Sequence, residues 1–169
     1  MKLIRRELLP YCRDPITLLA LGFGSGVMKS APGTFGTVAG LPFLWALVVL
    51  TPLQSALVIS LAAIAGIWIC GHASKKLQLD DPGCVVWDEM VGLWITLWAL
   101  PLTGVSLLLG FLLFRAFDIV KPWPISWFDR NVKGGLGIMV DDLIAGLFAA
   151  FVLRLLLVWM GEIPTWLTI

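Results

Sequence analysis

The sequence predicts an all-α integral membrane protein, a helical bundle of about five hydrophobic segments arranged as two hairpins plus a final span. Three observations carry that expectation. Hydrophobic residues make up 59% of the chain and charged residues 14%, against roughly a quarter charged in water-soluble domains. The mean hydropathy is +0.95. Between Lys29 and Lys75 there is no Asp, Glu, Lys or Arg, and at about 1.5 Å per residue that stretch crosses a roughly 30 Å hydrocarbon core, turns and returns. Runs of this length suit helices and exceed the strands of a membrane barrel. No repeat, low-complexity tract or linker divides the chain, so residues 1–169 read as one domain.

At the N-terminus, Lys2, Arg5 and Arg6 precede an apolar run that Pro10, Arg13 and Asp14 interrupt. This is a basic anchor at an anionic membrane surface and not a cleavable signal. The segment from Gly22 to Gly40 is rich in glycine and small hydroxyls. Backbone amides in such a loop form an anion nest near a helix N-terminus, and glycines also permit close helix packing. Lys29 and Thr34 are its candidate phosphate contacts. The first hairpin is predicted as Val38 to Leu50 and Ser55 to Cys70, joined by the turn Thr51-Pro52-Leu53-Gln54, with a kink at Pro42. The next uncharged stretch, Met90 to Phe114, carries a turn signal at Pro101, Thr103 and Gly104. It reads as a short hairpin extended by Val85 to Trp87 and by Ala116 to Val120. The last span runs from Val140 to Met160, with Arg154 placed to snorkel at its far end. Every Lys and Arg except Arg154 then faces one side or lies at its surface, and the positive-inside rule makes that side the cytoplasm.

The net charge of +1 and the lack of a basic stripe argue against a nucleic-acid partner. Cys12, Cys70 and Cys84 have neither zinc nor CxxC spacing, and their odd number is no disulfide framework. The informative residues are acids. VVWDEMVG, from Val85, sets Asp88 and Glu89 at the entrance of an apolar helix, and Asp141-Asp142 opens the last span in the same manner. Either pair alone is accounted for by complementing a helix dipole. Two pairs at equivalent depth point to a shared site, because acids near hydrocarbon require cations or a metal. Hard oxygen donors suit magnesium, which takes one or two carboxylates and is completed by water and substrate phosphate. Asp88, Glu89, Asp141 and Asp142 are the candidate ligands.

In FRAFDIVKPWP, from Phe114, Arg115, Asp118 and Lys121 fall at i, i+3 and i+6, near one another on a helix surface. They form either an ion-paired helix end or a phosphate site. In the second reading Arg115 and Lys121 hold phosphate oxygens while Asp118 orients one of them or binds metal. Arg130 and Lys133 are headgroup contacts, His72 has a structural or interfacial role, and Asp80-Asp81 before Pro82-Gly83 is a solvated turn.

The segments PGTFGT from Pro32, VVWDEMVG from Val85, FRAFDIVKPWP from Phe114 and MVDDLIAG from Met139 resemble the phosphatidylglycerophosphatase A family, in the same order and with similar separations. The likeness runs from Gly22 to Gly146. It implies a helical inner-membrane, magnesium-dependent phosphatase that converts phosphatidylglycerophosphate to phosphatidylglycerol, with its site facing the cytoplasm. In the mechanism expected from residues and resemblance together, Glu89 and Asp142, with Asp88 or Asp141, hold the metal. Arg115 and Lys121 balance phosphoryl charge, and Asp118 positions or deprotonates water. An aspartyl-phosphate intermediate stays open. The partner implied is a phospholipid, and the sequence does not give the oligomeric state. The competing class is a small cation carrier or channel subunit using the same acids. Against it, the acids lie at helix entrances on one side, and no internal repeat is visible.

Overall fold

The computed structural model describes residues 4–162, so Lys2 of the basic anchor lies outside the described residues. The architecture is all-helical, and its one piece of β pairing among the described residues is an isolated bridge between Ile4 and Met28. After a 3-10 segment at Arg6–Arg13, which contains Pro10, helix α1 (Pro15–Ala20) starts at Asp14. The Asp14 carboxylate accepts from the Thr17 amide, and Pro15 fills the first helical position, where a missing N–H costs nothing. It also meets His72 Nε2 at 3.0 Å and Lys76 Nζ at 3.2 Å. These contacts, the Thr17 hydroxyl bond foremost, hold Asp14 well below the usual carboxylate range. His72 therefore has the structural role expected of it.

Helices α2 (Pro32–Val48) and α3 (Pro52–Leu77) follow one another across a short turn, as the expected first hairpin requires, but they do not pack along each other. The predicted turn Thr51 to Gln54 is in fact the start of α3: Thr51 and Gln54 make a capping box, and Pro52 is the first helical residue. The chain reverses one step earlier, around Val49 and Leu50. α2 runs through Pro42 as one continuous helix. The second hairpin is also present, as α4 (Trp87–Thr96) and α5 (Gly104–Val120), the latter capped by Thr103 and Ser106. The short α6 (Ile125–Asn131) leads into α7 (Gly134–Trp159).

Two helices, α3 and α7, are long and apolar enough to cross a membrane, and α2 is a shorter apolar helix. Among the described residues, two of the expected five segments thus have the length of a full span. α4, with 10 residues, is only about 15 Å long. It is short because protein, not lipid, surrounds it: it packs on α2, α3, α5 and α7, and Met90, Val91, Leu93 and Trp94 are buried. Outside, Leu53, Leu61, Ile64, Trp68, Leu108, Phe151 and Leu155 are all more than half exposed. A continuous apolar exterior of this kind marks a membrane-associated bundle.

Glycines set the helix crossings. A Cβ on Gly146 of α7 would strike the Gly92 carbonyl of α4, one on Gly36 of α2 would strike Val86, and one on Gly135 would strike the Ile67 carbonyl of α3. Small residues at these points let backbones touch, which is how helices adhere where lipid removes the hydrophobic drive.

Candidate metal and phosphate site

Four elements converge at one end of the bundle. α4 begins there with Asp88 and Glu89 in its first turn, α5 ends there with Arg115 and Asp118, α7 passes with Asp141 and Asp142, and α2 starts there at Pro32. Glu89, Asp118 and Asp142 each present a carboxylate oxygen, and all three oxygens lie within 4.8 Å of one another. Arg115 Nη1 lies 2.5 Å from Asp118 Oδ2 and 3.5 Å from Glu89 Oε1. One guanidinium thus bridges two of the three acids. Its Nε is buried without a partner among the described residues, as are Asp88 Oδ1, Glu89 Oε2 and Asp141 Oδ1.

α7 starts at Gly134, earlier than the predicted Val140, which moves Asp141 and Asp142 from the helix mouth into its third turn. The dipole effect fades within the first turn, so it does not account for this pair. Both are buried, at 6% and 3% exposure. Buried acids without a dipole to serve need a cation.

Lys121 stands apart from the Arg115 cluster. It caps α5 in the left-handed region, with φ 45°, and its Nζ lies 2.5 Å from both Asp129 and Asp141. Desolvation works against its charge, yet the hydrogen bonds to Asp129 and Asp141 raise it above the usual lysine range. Lys121 thereby holds Asp141. Asp129 is a residue that the sequence does not reveal: a lone acid on the short charged loop helix is indistinguishable from a solvated one. Asp80 and Asp81 are exposed in a turn as expected, but they also line a polar pocket of about 150 Å³ with Asp129, Lys133 and Asp141.

The glycine-rich segment acts differently from an anion nest. The Thr37 hydroxyl donates to the Gly33 carbonyl and accepts from Arg115 Nη1 at 3.5 Å, while a Cβ on Gly33 would run into Glu89 Oε1. α2 therefore supplies close approach and one hydroxyl. Thr34 is half-buried and Lys29 exposed, and neither takes part in the hydrogen bonds or ion pairs of the cluster. The small residues Gly33, Thr37 and Gly40 share one helix face, and that spacing is the signal that points to Thr37.

The donor set fits magnesium. It is all oxygen, it includes buried carboxylate oxygens with no protein partner, and the chain's one histidine is engaged with Asp14.

Comparison with known proteins finds relatives over most of the chain. The family model described as Phosphatidylglycerophosphatase A matches residues 18–157. Phosphatidylglycerophosphatase A of Escherichia coli strain K12 is 47% identical over 142 residues, covering 83% of this chain and 82% of its own length. The Haemophilus influenzae protein of the same name is 41% identical over 149 residues, covering 87% and 91% respectively. A Bacteroides thetaiotaomicron protein provisionally named phosphatidylinositol-3-phosphatase is 40% identical over 154 residues, covering 85% and 93%. No solved structure matches the chain. On the match of family model and relatives over most of its length, the chain belongs to the phosphatidylglycerophosphatase A family.

Proposed function

We propose that this phosphatase removes the terminal phosphate of phosphatidylglycerophosphate, with magnesium, at a site on the cytoplasmic side of a bacterial inner membrane that its helices cross several times. The observation that carries the reading is the Glu89, Asp118 and Asp142 cluster, bridged by Arg115 and closed by apolar helices. The names of the Escherichia coli and Haemophilus influenzae relatives support the substrate, and the basic residues at the site end of the bundle support the orientation.

Glu89 and Asp142 would hold magnesium, with Asp118 or Asp88 completing the protein donors. When bound, magnesium supplies Lewis-acid polarisation of a phosphoryl oxygen and of water. Arg115 spends part of its guanidinium on Asp118 and Glu89, and its unpaired Nε is a donor left for a phosphate oxygen. Asp118, held by that same guanidinium, orients the attacking water and takes its proton. Lys121 keeps Asp141 in place through a paired ammonium, and so shapes the wall of the site. A carrier reading gains no support from the acids' one-sided placement.

The test is phosphate release by the purified, detergent-monodisperse protein. Chelation is expected to abolish hydrolysis of phosphatidylglycerophosphate and magnesium to restore it. Undiminished turnover by rigorously metal-free protein, or rescue by zinc alone, defeats the assignment.

A further inference from the structure

α2 and α5 both reach the acid cluster, yet among the described residues they do not pack along each other: α2 rests on α4, and α5 rests on α7. Between them lies an apolar groove of about 410 Å³, walled by Val38, Leu41 and Trp45 of α2 and by Leu107, Leu108 and Phe111 of α5.

The walls of the groove lie one helical turn from the site. On α2, Thr37 and Leu41 are four residues apart and share a face, so the wall residue lies one turn below the hydroxyl that meets Arg115. On α5, Phe111 stands one turn before Arg115 on the same face, and Asp118 follows. The two helices run in opposite directions, α2 starting at the site and α5 ending there, so both walls lead from the site into the apolar belt. From Val38 to Trp45 the wall is about 10 Å long. Val38, Trp45 and Leu108 are exposed. The groove is therefore open sideways, toward the surface that faces hydrocarbon.

We propose that this groove receives an acyl chain of the diacyl phospholipid substrate and that the cleft between α2 and α5 is the lateral entrance to the acid site. The inference rests on the lipid-phosphatase reading above. A chain moving from bilayer to groove exchanges one apolar environment for another, so little affinity comes from the transfer. What the groove provides is alignment: a chain lying in it points its headgroup at Arg115, Thr37 and the three carboxylates. A second apolar groove, of about 440 Å³ and lined by Ala63, Ile64 and Leu143, receives nothing from α2 or α5 and serves as the control.

The experiment compares Val38→Trp and Leu108→Trp with Ile64→Trp on two substrates, dioleoyl phosphatidylglycerophosphate in mixed micelles and its deacylated, water-soluble counterpart. Each groove-filling change is expected to lower kcat/KM for the diacyl substrate at least tenfold and to leave the deacylated substrate unchanged. Ile64→Trp leaves both unchanged. Equal losses on both substrates, or none on the diacyl one, overturn the proposal. A photoreactive residue at Leu41 gives an independent readout, with phosphatidylglycerophosphate diluted into phosphatidylcholine. Enrichment of the phosphate-bearing lipid in the adduct at Leu41, and not at Ile64, supports the groove. A chain-to-chain adduct at Leu41 assigns the groove to a second copy and overturns it. A parent enzyme inactive on the diacyl lipid but still crosslinked to it at Leu41 sinks the phosphatase reading and leaves the groove standing. Inactivity with no enrichment sinks both.

Discussion

Replacing Glu89 by Gln or Asp142 by Asn keeps side-chain volume and removes one negative oxygen from a cluster only 4.8 Å across. If those oxygens bind the metal, turnover falls by at least about a hundredfold, the scale of losing one strong transition-state contact. Folding survives. Asp80→Asn and Asp81→Asn leave turnover close to the parent's, and the comparison is made at equal amounts of folded protein. A reversed outcome moves the metal to the loop before α4. Gly33→Ala tests geometry without changing charge. The added methyl displaces Glu89 Oε1, and a shift of that size costs roughly tenfold to a hundredfold in rate, with the melting temperature near the parent's. At this scale the sequence was informative about acids and Arg115, because charge beside hydrocarbon is conspicuous. It is uninformative about Asp129, since a loop carboxylate takes its role only from what the fold brings to it, and for Thr37 it offers only the small-residue spacing of Gly33, Thr37 and Gly40.

Elements were legible where polarity changes abruptly and illegible where glycine has two meanings. The α4–α5 hairpin was read from Pro101, Thr103 and Gly104, and Thr103 does cap α5. The start of α7 is illegible because Gly134, Gly135 and Gly137 read as loop. Gly134 opens the helix with φ 68°, and Gly135 and Gly137 pack against the Ile67 carbonyl of α3 and the Val132 carbonyl after α6, where a Cβ would not fit. α3 continues past the predicted end at Cys70 to Leu77, with Lys75 and Lys76 in its last turn, where cations complement the helix dipole. Two substitutions test the elements. Gly146→Val forces α7 off the Gly92 carbonyl, at about 1 to 3 kcal/mol for overpacking, read as a lower unfolding temperature in detergent. Lys121→Met leaves Asp141 buried without its cation, a loss of about 3 to 5 kcal/mol, and Lys121→Arg recovers part of it.

For the whole molecule, one-sided charge predicts an orientation, and the buried thiols Cys70 and Cys84 are poor reporters of it. Cys84 is 2% exposed, and burial pushes its thiol up, away from the reactive thiolate. Gly83 sits in open space in the same loop. Gly83→Cys, in a Cys12→Ser background, is expected to react with a membrane-impermeant maleimide in inverted vesicles and not in intact cells. Labelling in intact cells turns the bundle over and takes the site out of the cytoplasm.

The burial of α4 also bears on how the protein is made. A helix of 10 residues carrying two acids is a poor candidate for staying in a bilayer unaided, and α7, which covers it, is synthesised later. A nascent chain extended only through α6 therefore exposes Asp88 and Glu89 to lipid or water, with neither Asp142 nor the Gly146 crossing in place. Chains emerge N-terminus first, so a chain truncated before α7 is expected to release no phosphate in detergent, and co-expression of α7 as a separate segment is the measurement that checks whether its docking restores activity.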